Sequence, residues 1–284
     1  LTKQDVYERI LSKRDEMSKS HKKIASFLIK NSDSAPFLTA SKLAKQVEVG
    51  EATIIRFAVF LGYKGYPDLQ RHLQEDLKTK WTSAERFEQT TNVNENEKHV
   101  WKEVLSDDLS NIKETLRGID EYVFTEAIQA LVQAERIYII AYRSAQSLGI
   151  FLEFYLDLVL QNTKLIQQSD GVSEHLLDIT ERDLVIGIGF SRYTKRTVDV
   201  LKYAHEKGAQ TIVITDHSMS PLAPFGNYQL YTATSINSFI DSFTAPLSII
   251  NALITGVTRS KQQKVKERLI ELELLWDKFD VFHD

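Results

Sequence analysis

Residues 38–73 read LTASKLAKQVEVGEATIIRFAVFLGYKGYPDLQRHL, and the spacing of their apolar side chains decides how the N-terminal part of the chain folds. Leu43, Ala44 and Val47 recur at helical intervals after Thr39, whose hydroxyl suits the start of a helix. Gly50 lies in the break that follows. Ile54, Phe57, Ala58 and Leu61 then form a second apolar stripe, and Gly62 stands where that helix should stop. The spacing predicts a first helix over about 40–47, a tight turn at Glu48–Gly50 and a second helix from Glu51: a helix-turn-helix. In such a motif the first residues of the second helix face base edges in the major groove, while neighbouring groups hold phosphates. With the apolar stripe turned inward, Ala52, Thr53 and Arg56 face outward. Arg can donate twice to a guanine edge, and Thr offers a hydroxyl or its methyl group. Lys42, Lys45, Lys64 and the helix N-terminus are placed to hold phosphates. A small helical bundle used for dimerisation has the same short pattern, so on its own physics this segment leaves both readings open.

Outward from this stretch, residues 1–80 read as all-helical. Val6, Ile10 and Leu11 begin one amphipathic run, and Ser18 precedes another carrying Ile24, Ala25, Phe27 and Leu28. Pro36 interrupts the chain, and Pro67 suits the first turn of a helix through Leu69 and Leu73. Residues 81–98, WTSAERFEQTTNVNENEK, are polar with no clear period, which predicts a linker between a domain over 1–80 and one over 99–284. After a long helix from about His99 to Leu116, and another capped by Asp120, the texture changes. RIYIIA (136–141), TKLIQQ (163–168), DLVIGIG (183–189), QTIVIT (210–215) and YQLYTAT (228–234) alternate with helical patterns at about 145–160, 172–179, 194–207 and 238–259. Strands alternating with helices imply right-handed crossovers and a parallel sheet covered on both faces. Lys261 to Phe279 reads as a charged amphipathic helix.

Composition bounds the function. The 284 residues suit two domains, and 43% hydrophobic with 26% charged residues is ordinary for a soluble globular protein. With no cysteine, disulfides and thiolate metal sites are excluded. Leu1 to Arg14 is charged and has no signal-peptide run, no window reaches the length of a membrane span, and the chain begins without methionine. A cytoplasmic location is expected. The net charge of −4 hides an asymmetry: residues 1–80 hold 15 Lys and Arg against 10 Asp and Glu, and the remainder holds 20 against 29. Only the first part is suited to a polyanion.

The run SKSHKKIASFLIKN from Ser18, followed by residues 38–73 with ATIIRF and LGYKGY, resembles the N-terminal domain of RpiR-type transcriptional regulators. One departure is Gly50, where that family usually has a capping serine; glycine is an acceptable cap. The alternation over 136–259 resembles the SIS (sugar isomerase) domain of the same regulators. The resemblance implies an α helix-turn-helix bundle joined to an α/β domain with a five-stranded parallel sheet of flavodoxin-like order. It also implies ligand at the C-terminal strand ends, here AYRSAQS (141–147) and GFSRYTKRT (189–197), each leading into a helix whose N-terminus attracts anions. The usual patterns are a glycine-rich turn with Ser after the first strand, and Ser-x-Ser-Gly-x-Thr after the third. Here Ala141 and Arg143 replace two glycines, Ser144 is close to the serine position, Gly189 replaces the first Ser and Arg192 the Gly, while Ser191 and Thr194 match. Arginine turns are expected to lack the close backbone approach that glycine allows.

The expected effector site is therefore Arg143, Ser144, Ser191, Arg192, Tyr193 and Thr194, with Ser235 and Asp241 from TATSINSFIDSFTAP able to reach it. The ligand is a small anion: a phosphosugar first, since guanidinium groups replace lost backbone contacts, or a sugar acid or dicarboxylate. Solvated loop arginines are the plain alternative, and helix capping explains Ser238 and Asp241 equally well. Glu174 with His175, and Glu153 on an apolar helix, are the nearest to an acid/base set, yet a lone His or Glu is more often structural. The histidines lack ligand spacing, and neither a GxGxxG nor a P-loop is present, so no catalytic residue, metal or cofactor is expected. The expected partners are double-stranded operator DNA, the small anion and a second copy in a homodimer or homotetramer, without a membrane. The rival is a sugar-phosphate isomerase with an accessory helical domain.

Overall fold

The computed structural model describes residues 6–31, 35–78, 82–91, 99–167 and 171–283. The chain divides into two compact units, residues 1–97 with 238–240, and residues 98–237 with 241–284.

In the first unit α1 (Val6–Ser12), α2 (Lys19–Lys30), α3 (Ala40–Val47), α4 (Glu51–Phe60) and α5 (Tyr66–Lys78) surround one core. Ile24, Leu28, Leu43, Ile54, Phe57, Leu69 and Leu73 are fully buried in it, as their helical spacing requires. The boundaries follow local chemistry. Ser18 and Thr39 cap α2 and α3, accepting from the N–H groups of His21 and Lys42 at 3.2 Å each. Glu48 ends α3 in the left-handed conformation at φ 57°, and Gly62, at φ 94°, lets the chain leave α4. Cations meet the C-terminal end of α4: Lys13 Nζ donates to the Phe60 carbonyl at 2.8 Å, and Arg9 Nη1 to that of Leu61 at 3.4 Å. Tyr66 fastens α5 to the start of the motif by donating to the Leu38 carbonyl at 2.6 Å; burial pushes its phenol up to about 12.

The stretch expected to be a linker or domain boundary contains α6 (Ser83–Thr91). Thr82 and Glu85 form a reciprocal capping box, each side chain accepting from the other's N–H, at 3.3 and 2.6 Å. Hydrogen bonding from Thr82, its backbone N–H first and its side chain second, holds the Glu85 carboxyl below its ordinary value. The rest of that stretch, Trp81 and residues 92–98, lies outside the described residues, as do residues 1–5.

The second unit opens with α7 (Val100–Gly118) and α8 (Glu121–Gln133), the latter capped by Asp120 as its position predicts. There follow β1 (Ile137–Ala141), α9 (Gln146–Leu160), β2 (Thr163–Leu165), α10 (Val172–Leu176), β3 (Leu184–Ile188), α11 (Lys195–Glu206), β4 (Gln210–Thr215) and β5 (Tyr228–Tyr231). Two helices, α12 (Thr244–Ser260) and α13 (Gln262–Lys278), complete it. The strands pair in the order β2-β1-β3-β4-β5, all parallel, the flavodoxin-like arrangement the resemblance implies. Both faces are covered, so β1 and β3 are buried throughout. Ile137, Ile139 and Ile186 face the core shared with α8, α9 and α12, while Tyr138, Ile140 and Val185 face α10 and α11. Gly149 lets α9 lie close on β1, because a Cβ there would stand 2.9 Å from the Cβ of Ala141 and from Cδ1 of Leu165.

The helix expected over 238–259 begins only at Thr244, because residues 233–242 are committed elsewhere. The Asn111 side chain donates to the Ser235 carbonyl at 2.7 Å and accepts from its N–H at 3.2 Å. Thr115 accepts from Ala233 N–H at 2.9 Å, and the Ser242 hydroxyl donates to Asp108. Ser242, just before the N-cap residue Phe243, also accepts from Thr244 N–H at 3.3 Å, and neither Ser238 nor Asp241 stands at the start of α12.

Candidate functional site

On the helical unit, α4 turns Ile54, Phe57 and Ala58 inward and leaves Ala52 and Arg56 exposed. Thr53 is half-buried, and its hydroxyl accepts from Arg56 Nη2 at 3.3 Å, steadying the guanidinium on the outward face. Lys42 and Lys64 are exposed, and the Lys64 N–H donates to Asp68 at 2.9 Å, which ties the loop after α4 to α5. Gly50 takes an extended N-cap conformation without a side-chain bond. His21 rests on α4, its ring 5.4 Å from that of Phe57 and 5.0 Å from that of Phe60. Burial and then the nearby Arg56 charge lower its pKa, which favours the neutral ring beside the outward face.

On the α/β unit, Ala141 pairs with Ile188, so the turns after β1 and β3 are neighbours at the C-terminal edge of the sheet. Arg143 sits at φ 58° and Arg192 at φ 65°. Both arginines that stand in place of glycine adopt the left-handed conformation that glycine favours. The left-handed turns are kept and carry guanidinium side chains. Ser144 is exposed in a short turn running into α9, and Thr194 occupies the N-cap position of α11 without a side-chain cap bond.

Asp216, just past β4, pins both neighbours of Arg192. Ser191 N–H donates to its Oδ2 at 3.0 Å, and the Tyr193 hydroxyl donates to Oδ1. The Thr215 hydroxyl lies 3.2 Å from the same carboxylate, and His217 Nε2 lies 3.1 Å from the Tyr193 oxygen. Burial, then the Asp216 charge, raises the Tyr193 phenol far above its ordinary value, so it stays a neutral donor. Arg196 of α11 holds its guanidinium 5.6 Å from the centre of the Tyr142 ring, linking the two turns.

Ser235 and Asp241 lie beyond β5, two strands from β3, in the segment tethered to α7. Phe243 reaches back to Phe190 in the turn after β3, with ring centres 5.2 Å apart. Glu153 is structural, accepting from Leu165 N–H at 2.7 Å. His175 packs its ring 6.4 Å from that of Tyr138. A polar groove of about 650 Å³ opens at the opposite, N-terminal end of the strands, where two ion pairs lie. There Arg136 grips Asp183 at 2.8 and 2.7 Å, and Arg182 meets Glu135 at 2.9 Å. The C-terminal strand ends are the better candidate because open α/β sheets bind ligands at that edge, and the turns that carry Arg143 and Arg192 are neighbours there.

Comparison with known proteins agrees with this architecture. Residues 4–80 match the family model described as the helix-turn-helix domain of the rpiR family, and residues 130–256 match that of the SIS domain. Together they span more than two thirds of the chain. The chain belongs to the RpiR-type transcriptional regulators. An uncharacterized HTH-type transcriptional regulator of Haemophilus influenzae is 26% identical over 234 residues, 80% of this chain and 79% of that protein. The HTH-type transcriptional regulator HexR of Pseudomonas aeruginosa is 25% identical over 282 residues, 94% of this chain and 96% of its own. The solved structure of Vibrio vulnificus NanR complexed with ManNAc-6P has a TM-score of 0.59 at 17% identity, covering 98% of this chain and 100% of that one. At that identity the likeness shows the fold. Among the described residues of this RpiR-type chain, no helix is long and apolar enough to cross a membrane.

Four residues of this regulator stand out in the structure and were not assigned to either site from the sequence; Asp216 with His217 follows a strand, but no nearby Ser elbow makes it a triad. Ile55 and Val59 are apolar yet lie off the buried stripe of α4, a phase that the periodicity alone would have shown. Arg196 follows the turn motif by two residues. Asp216 closes the strand QTIVIT, and nothing in its neighbours signals that it reaches the turn after β3.

Proposed function

We propose that this regulator binds operator DNA through α4 and senses a small anionic metabolite, a phosphosugar first, in the crevice where β1 and β3 end. The observation that carries the reading is the pair of left-handed arginines, Arg143 and Arg192, in adjacent turns. Such strained non-glycine positions persist where the surrounding structure holds them and cluster at ligand sites. A guanidinium forks onto phosphate or carboxylate oxygens, so these turns exchange a backbone cradle for side-chain recognition. Ser191, Tyr193 and Thr194 line the same turn and Ser144 the neighbouring one, while Ser235 and Asp241 belong to the segment beyond β5 that leads to Phe243, which meets Phe190. The NanR complex with ManNAc-6P supports a phosphosugar as the ligand class.

Arg56, steadied by Thr53, contacts base edges together with Ala52, and Lys42 and Lys64 hold phosphates. The chain acts as a homo-oligomer, a dimer or tetramer, through the α/β unit. α13 supports this, since Ile270, Leu274 and Leu275 are exposed along its length. Two copies then span half-sites roughly 34 Å apart or a multiple of that. Ligand changes operator affinity only by binding one arrangement of the oligomer better than another.

The test is thermal unfolding of the full chain with ManNAc-6P, other sugar phosphates, sugar acids and dicarboxylates. A ligand of the native state must raise the unfolding temperature. The expected result is stabilisation by a sugar phosphate that Arg192→Ala abolishes. Stabilisation that survives Arg192→Ala places the site elsewhere, and stabilisation by an unphosphorylated acid alone changes the ligand class.

A further inference from the structure

The outward face of α4 carries more than its arginine. At 3.6 residues per turn, Ala52, Ile55, Arg56 and Val59 fall on one side of the helix, opposite the buried Ile54, Phe57 and Ala58. Ile55 is 45% exposed and Val59 56%. Helix propensity does not account for them, because β-branched side chains lose rotamer freedom in a helix and gain nothing from facing water. The cations that accompany this face, Arg56 on α4, Lys42 and Lys45 on α3 and Lys64 in the loop after α4, are all exposed. Glu51 at the start of α4 is the opposing charge on the same helix. A face that is apolar at its centre and basic at its margins complements a major groove, whose floor offers thymine methyl groups and whose walls are phosphate.

We infer that Ile55 and Val59 read thymine 5-methyl groups, so that the operator half-site presents thymines beside the base pair contacted by Arg56. Four residues of helix advance about 6 Å, which places the two contacts roughly two base steps apart at 3.4 Å per step. This inference rests on α4 being the helix that enters the groove, and it adds the sequence class that the helix prefers. Arg56 supplies a guanine-type contact; Ile55 and Val59 supply discrimination that hydrogen bonding cannot give.

The experiment starts from the full chain selecting duplexes out of a random-sequence DNA library. The winners are then resynthesised with deoxyuridine for thymidine, a change that removes only the methyl. Selected duplexes should share thymines two steps apart, and the deoxyuridine forms should bind about fourfold more weakly for each contacted methyl lost. Ile55→Ala with Val59→Ala, both at exposed positions, should bind the thymidine and deoxyuridine forms alike. Wild-type binding that ignores the methyls, or a variant as sensitive to them as wild type, overturns the inference and leaves α4 as the reader. Failure to select any sequence, with no loss of DNA affinity as salt rises, overturns instead the assignment of α4 to DNA.

Discussion

Glycine at position 192 should stabilise the α/β unit relative to alanine, the reverse of their usual order. Arg192 stands at φ 65° with Ser191 and Tyr193 both fastened to Asp216, so the turn cannot relax without breaking those bonds. Holding an L-residue in this region costs roughly 1–2 kcal/mol, which glycine does not incur. Against this, glycine's freer unfolded chain costs about 0.5–1 kcal/mol. The balance favours Arg192→Gly over Arg192→Ala by about 1 kcal/mol, or roughly 2–4 °C in the transition of a unit this size. Both variants remove the guanidinium, so both should lose the effector response, and their difference reports the backbone alone. Calorimetry of the two proteins under identical conditions decides it. An alanine variant as stable as the glycine variant, or more so, would show that the turn is not left-handed and refute the argument.

Three further outcomes follow from the packing. Asp183 is fully buried at its side chain and grips Arg136, which is 42% exposed, so Asp183→Asn should cost about 2 kcal/mol, less than for a pair buried on both sides. Burial pushes the Asp183 carboxyl up, but the Arg136 and Thr180 donors outweigh it and hold the folded value below 3.8. Its contribution is therefore complete above that ordinary value and lost as pH falls through the lower folded one; urea unfolding from pH 6 to 2 should show a shallower acid loss in the variant, and parallel curves would contradict it. Gly149→Ala would set a Cβ against the anchored Cβ of Ala141, and overpacking of this kind costs about 1–3 kcal/mol. A neutral effect on the unfolding midpoint would mean that α9 does not approach β1 as described. Ile270→Glu with Leu274→Glu on α13 should lower the mass measured by light scattering without loss of helix content, and an unchanged mass would put the oligomer contact on another face.

Periodicity carried most of the architecture because burial imposes it. The stripe Ile54, Phe57, Ala58 and Leu61 and the runs at 137–141 and 184–188 are buried for the reason they are patterned. What escaped the pattern was set by side chain–backbone hydrogen bonds. Thr82 and Glu85 start a helix in a stretch without apolar period, and their capping-box spacing was the available signal. Asn111 and Thr115 hold residues 233–235 from more than 100 positions away, which delays α12 to Thr244, and no local signal marks such a partner.

The turn at Arg192 shows most clearly where residue type misleads. Read from the sequence, arginine for glycine means a turn without the close backbone approach to an anion that glycine allows. In the structure the backbone is held because Asp216, just past the neighbouring strand β4, takes the N–H before Arg192 and the phenol after it. Backbone shape and residue identity have separated, with Asp216 supplying the constraint that glycine would have made unnecessary. The substitution therefore adds a cation at the strand ends without rebuilding the turn, and Arg143 does the same one strand away. One strained arginine could be an accident of drift. Two lie in adjacent turns at the edge where open α/β sheets bind their ligands, and the anion site proposed above uses their side chains in place of a backbone cradle.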